Sequence, residues 1–153
     1  MHFDSCNGFL NAIALFNDGA NHASTYTMEL LPAASSLDSS LATYFSAMST
    51  SHVPPQPAEK WQIQTTELDD DWAQALRQVA HHWFFEQAFS PKVDQTIAEN
   101  VVETFLAHVR AIVGDAKAFQ VDVSPPMWYE GVWQDLAFDS QQGRWLLHFG
   151  VSD

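Results

Sequence analysis

The strongest constraint on this chain is its last 26 residues, WYEGVWQDLAFDSQQGRWLLHFGVSD, in which two stretches of period-two alternation flank the polar run Ser140-Gln141-Gln142-Gly143. Alternation of this kind sends successive side chains to opposite faces of a strand, and a short polar break containing glycine closes a hairpin. If Ser140 to Gly143 form a four-residue loop, Asp139 lies opposite Arg144 and the numbers of every opposed pair sum to 283. Val132, Leu136 and Phe138 then share a face with Trp145, Leu147, Phe149 and Val151, apolar apart from Gln134. The opposite face carries Trp133, Asp135, Ala137 and Asp139 with Arg144, Leu146, His148 and Gly150. Asp135 is thereby paired with His148 and Asp139 with Arg144, both opposite-charge contacts once the imidazole is protonated. A slip of one residue would mix the faces, whereas a two-residue Gln142-Gly143 turn keeps the faces and moves the pairs. The expectation is a ribbon with its apolar face turned inward and its ionic face turned to water.

Two helices are expected upstream. Glu67, Asp69, Asp70 and Asp71 concentrate acids where a helix begins, satisfying orphan amides and complementing the positive end of the dipole. That helix is predicted over Asp70 to Phe89, with Trp72, Leu76, Val79, Trp83 and Phe84 as its apolar stripe and Ser90-Pro91 as its stop. The second runs from Lys92 or Val93 to Val113 on the stripe Ile97, Val101, Phe105, Val109 and Ile112, and Gly114 ends it. So short a connection implies an antiparallel pair.

The first third is less periodic. Phe9 to Phe16 and Thr25 to Leu31 are apolar-rich runs around Asn17-Asp18-Gly19-Ala20-Asn21, a pattern that suggests a hairpin. Ser35-Ser36 can cap a helix over Leu37 to Met48. Ser49 to Glu59, with Pro54, Pro55 and Pro57, reads as a connector inside a single domain of 153 residues. Phe119, Val121 and Val123 alternate with polar residues as a further strand. The fold class expected is α+β: an antiparallel helix pair packed on a small antiparallel sheet with a C-terminal β-hairpin.

Charge narrows the function. Six Lys and Arg against 19 Asp and Glu leave a net charge of -13, which repels phosphate backbones and excludes general nucleic-acid binding. A basic protein partner is favoured instead. No Lys or Arg precedes Lys60, so a basic leader is absent, and the apolar run Ala12 to Phe16 is far too short to cross a bilayer. These features predict a cytoplasmic protein that does not engage a membrane. Cys6 is the one cysteine, which rules out an internal disulfide.

His82 and Glu86 stand at i, i+4, and so do Glu99 and Glu103, but the Glu-x-x-His repeat of di-metal helical bundles is missing. These groups are read as structural, with no metal and no cofactor. Nucleophile-elbow, Ser-x-x-Lys and glycine-rich phosphate-loop signatures are missing too. Asp135 with His148 is the one acid/base pair on which a small hydrolase could rest, but the favoured reading of it is a cross-strand salt bridge on an exposed sheet face. Trp128, Tyr129, Trp133 and Trp145 fall within eighteen residues. Trp133 beside Asp135 makes an anchor for a basic partner, unless it is covered by the helix pair or the N-terminal segment. A homodimer with aromatics at its interface is a third reading. The candidate partner-binding residues are therefore Glu130, Trp133, Asp135, Asp139 and His148, with Asp69, Asp70 and Asp71 as a second acidic patch.

The tail, with its Trp-x-Asp strand, short polar turn and closing strand RWLLHFGVSD, resembles the terminal hairpins of small acidic bacterial immunity proteins, which bind and block a cognate toxin. The resemblance implies a non-enzymatic inhibitor of a basic toxin or nuclease.

Overall fold

A computed structural model describes residues 2–51, 54–55 and 61–153. Its elements are α1 (His2–Asn17), β1 (Ala23–Leu30), α2 (Leu37–Ser51), β2 (Gln62–Glu67), α3 (Trp72–Phe85), α4 (Gln95–Val113), β3 (Ala116–Ser124), β4 (Val132–Ser140) and β5 (Gly143–Ser152). The five strands form one antiparallel sheet in the order β1-β5-β4-β3-β2. The fold is α+β, an antiparallel helix pair packed on this sheet, and β4–β5 is the C-terminal hairpin.

The hairpin register follows the alternation. Asp139 faces Arg144, Asp135 faces His148, and Ser140 pairs with Gly143, so Gln141 and Gln142 alone make the turn. Gly143 adopts φ +146°, a region that an L side chain rarely occupies. Leu136, Phe138, Trp145, Leu147 and Phe149 enter the main core beneath α1, α3 and α4, together with Phe84, Phe105 and Leu106. Burial there is complete for Phe84, Phe105, Leu106, Leu147 and Phe149, and truncating any one of those phenylalanines to alanine should cost about 3–5 kcal/mol.

The other face of the sheet is covered over its centre, and this overturns the expectation of a solvated ionic side. Leu37, Leu41 and Phe45 of α2 pack with Trp61, Val121, Val123, Ala137 and Leu146 into a second core. Asp135 is fully buried and His148 is 7% exposed. Arg144 helps hold this layer down: its Nε donates to Asp139 Oδ1 at 2.9 Å, and its Nη1 donates to Ala34 O at 2.7 Å and to Ser40 Oγ at 3.3 Å.

Several boundaries differ from the pattern-based reading. The run Phe9 to Phe16 lies in helix α1 and is not a strand of a hairpin. Its buried positions, Cys6, Leu10, Ala14 and Asn17, are helically spaced, but two are small or thiol-bearing and one is polar, so an apolar count misses them. Asp18 to His22 still turn the chain, from a helix into β1, where Asp18 Oδ1 accepts from Ser24 N at 2.7 Å. Glu67 ends strand β2, whose sequence QIQTTE has one large apolar side chain and so gives no alternation to read. Helix α3 begins at Trp72 with Asp71 as its N-cap, but the Asp71 side chain makes no capping bond. The cap expected from acids appears on α4, where Asp94 accepts from Ile97 N at 3.0 Å.

Helix α3 stops at Phe85, short of the expected Phe89. Gly114, at φ +61°, closes α4 as expected. The predicted connector divides: Ser49–Ser51 belong to α2, Pro54 and Pro55 follow it, and the remainder of Ser49 to Glu59 lies outside the described residues. Strand β1, which precedes the connector, pairs along its whole length with β5 at the far end of the chain.

Candidate functional site

Two clusters of charged side chains emerge, and they divide the sequence-predicted residues between them. One is buried at the end of the hairpin. The connection from β3 to β4 brings Tyr129 and Glu130 back over β5, where Gly131 N donates to Val151 O at 3.1 Å. His148 Nδ1 lies 2.6 Å from Asp135 Oδ1 and its Nε2 lies 3.3 Å from Glu130 Oε1. Tyr129 donates its hydroxyl to Asp135 Oδ2 at 3.0 Å and sits 3.1 Å from His148 Nδ1, while Ser152 Oγ donates to the second oxygen of Glu130. Gly150 makes room for this. A Cβ at that position would lie 2.7 Å from both His148 Nε2 and the Glu130 carboxyl carbon.

The electrostatics follow from the geometry. Burial alone would push the imidazole of His148 down, but the hydrogen bonds and charges of Asp135 and Glu130 outweigh it and raise His148 to about 9. Burial would likewise raise the Glu130 carboxyl, yet hydrogen bonds from His148 and Ser152 hold it below its usual value. Burial first and Asp135 second push the Tyr129 phenol up, so it remains a donor. At neutral pH His148 is thus an imidazolium with both N–H groups committed to carboxylates. It has no lone pair with which to take a proton from a substrate or bind a metal. The larger clefts in the described surface are lined by other residues.

The second cluster is open. At one end of the sheet, Glu67, Leu68, Asp69 and Asp70 from the β2–α3 passage meet Trp72 of α3, Asp115 to Ala118 at the start of β3, and Asp139 to Gln141 at the end of β4, around a cleft of about 740 Å³. Five acids, Glu67, Asp69, Asp70, Asp115 and Asp139, line it against the single cation Lys117, which is 3.6 Å from Glu67. The antiparallel sheet accounts for the convergence, since the end of β2, the start of β3 and the end of β4 fall at the same edge.

The predicted residues therefore separate. Asp69, Asp70 and Asp139 share the cleft, and Asp71 is exposed beside it at the α3 N-cap. Asp135 and His148 are buried and Glu130 is bonded to His148, so these three do not form a solvent-facing docking surface. Trp133 is half-buried against the second core, its ring 5.3 Å from that of Tyr129, whereas Trp128 is 67% exposed. Pattern reading missed Asp115 and Lys117 at the cleft and Tyr129 and Gly150 in the buried cluster. Only Gly150 carried a signal, because the register already set it beside His148 on the same face.

The His82–Glu86 spacing is not realised: α3 ends before Glu86, which turns back to His81 at 2.7 Å. Among the described residues, no group of three or more His, Cys, Asp or Glu side chains is placed to hold a metal ion. No helix among them is long and apolar enough to cross a membrane. Comparisons with models of protein families, with curated proteins and with solved structures give no match.

Proposed function

We propose that the protein is a non-enzymatic binding module whose acidic cleft docks a basic segment of another protein, in the manner of an immunity protein that neutralises a basic toxin or nuclease. The observation that carries this reading is the convergence of five acids from separate stretches of chain on one open cleft, where Lys117 pairs with Glu67 and Arg144 with Asp139, so that the acids exceed the cations by three. Like charges crowded together repel one another, and a cationic partner relieves that repulsion while the same field speeds its approach. Leu68 and the methyl group of Ala116, both half-buried, supply apolar surface at the cleft for the stems of Lys or Arg side chains. Capping by His148 of both Asp135 and Glu130 argues against the hydrolase alternative, because the one acid/base pair in the hairpin is already consumed by the fold.

The test is affinity capture from the source cell with wild-type protein and with an Asp69→Lys/Asp70→Lys/Asp115→Lys variant, all three sites being exposed. A basic protein should be retained by the wild type, and its affinity should fall more than about tenfold in the variant and again on raising salt. Equal retention by both baits, or an affinity indifferent to salt, refutes the cleft as the docking site.

A further inference from the structure

Helix α4 is apolar on more of its circumference than the core uses. Ala98, Val102, Phe105, Leu106, Val109, Ile112 and Val113 point inward. The periodicity assigns Ile97 and Val101 to the core stripe, but Ile97 is 49% exposed and Val101 is only partly buried at the margin of the core. With Ile13 and Phe16 of α1, Phe85 at the end of α3 and Val93 of the α3–α4 passage, they line an apolar cavity of about 190 Å³. Phe16 is 71% exposed and Val93 is 41% exposed. Asn17 also borders the cavity, but its amide is spent on Ile13 O, Phe84 O and Ser90 Oγ, so it offers no polar group.

Charge is distributed unevenly about this groove. Residues 2–17 and 72–113, which make up the helical layer, hold three Lys or Arg and five Asp or Glu, a net of -2 out of the -13 of the whole chain. The remaining -11 lies elsewhere. A basic partner gains little at so nearly neutral a face and is drawn to the acidic cleft. For a second copy of the chain the reverse holds, since this is the approach with least repulsion. A neighbouring groove that shares Phe85, Pro91 and Val93 carries both signs, Lys92 with Glu86 and Glu99. A self-association across such a rim therefore meets no concentrated charge of one sign.

We propose that the helical layer is a homodimer interface, with Phe16, Val93 and Ile97 of each copy covering the apolar groove of the other. Sedimentation equilibrium of the wild-type protein between about 1 and 100 µM should give twice the chain mass at the upper end. Phe16→Glu/Ile97→Glu changes two exposed side chains and should weaken the dimer by about 100-fold with an unchanged far-UV circular dichroism spectrum. Asp69→Lys should leave the dimer intact. Added salt gives a reading that needs no change in the groove: it should tighten the dimer, because it screens repulsion between two -13 chains while leaving apolar burial in place. A wild-type monomer at the highest concentration overturns the proposal. So does a dimer that survives the double substitution in folded protein, or one that salt dissociates.

Discussion

His148 makes a quantitative demand on the protein's stability. Its imidazole is raised to about 9 in the folded state, against 6.5 for the free side chain. A group whose pKa is higher when folded stabilises fully below the unfolded value and loses that contribution as pH rises through the folded one. The difference corresponds to roughly 3 kcal/mol below pH 6.5, falling to about 2 near pH 7.5 and to well under 1 at pH 9. The ordinary carboxylates are ionised across this whole interval, and Cys6, raised from 9.0 to about 12 by burial, adds a loss of the same sign only above about pH 8, so the share of His148 is the part of the change that His148→Gln removes. Urea unfolding monitored by tryptophan fluorescence is the assay. With a slope of about 2 kcal/mol per molar, the midpoint should drop by about 1 M or more between pH 6 and pH 9.5. His148→Gln, which keeps a polar side chain but cannot be an imidazolium, should start from a lower midpoint and lose most of the slope with pH. A wild-type midpoint that is flat over that range, or a variant with the same pH dependence as the wild type, would refute the reasoning. An NMR titration that places the His148 ring near 6.5 would do so as well.

Two further outcomes follow from the packing. Gly150→Ala drives a methyl group into the gap between Glu130 and His148 and should cost about 1–3 kcal/mol, with His148 titrating at lower pH as Glu130 moves away; an unperturbed titration would show that Glu130 contributes little to holding the imidazolium. Cys6 is fully buried and its thiol is pushed up by burial to about 12, so a disulfide-forming reagent at pH 8 should leave it unmodified in the folded protein and react with it in urea. Rapid labelling without denaturant would mean that α1 detaches from the core far more readily than its packing implies.

The sites that sequence could and could not reveal differ for definite reasons. A strand alternates with period two, so the facing and pairing of Asp135 with His148 and of Asp139 with Arg144 were contained in the final 26 residues. Pattern alone also located both long helices, because Trp72, Leu76, Trp83, Phe84, Phe105 and Val109 recur with the period of a helix. It turned α4 slightly wrong. Ala98 is smaller than Ile97 and so counts for less in an apolar stripe, while Val101 and Val102 are identical and give no preference, so apolar size alone sets the rotation of the helix too far toward Ile97.

What the sequence determined by itself was local: period, register, the Ser36 cap of α2 and the Gly114 stop of α4. What only the tertiary structure decided was which surfaces meet. Whether the ionic face of the hairpin lies in water depends on α2, which packs over Ala137 and Leu146, and on the β3–β4 connection, whose Tyr129 and Glu130 close over Asp135 and His148. Once they are enclosed, a cross-strand pair that would contribute little in solvent becomes a buried ion cluster that shifts a proton equilibrium. Convergence of Asp69, Asp70, Asp115 and Asp139 is likewise a product of strand order, since an acid's position in the chain carries no information about which sheet edge it will share.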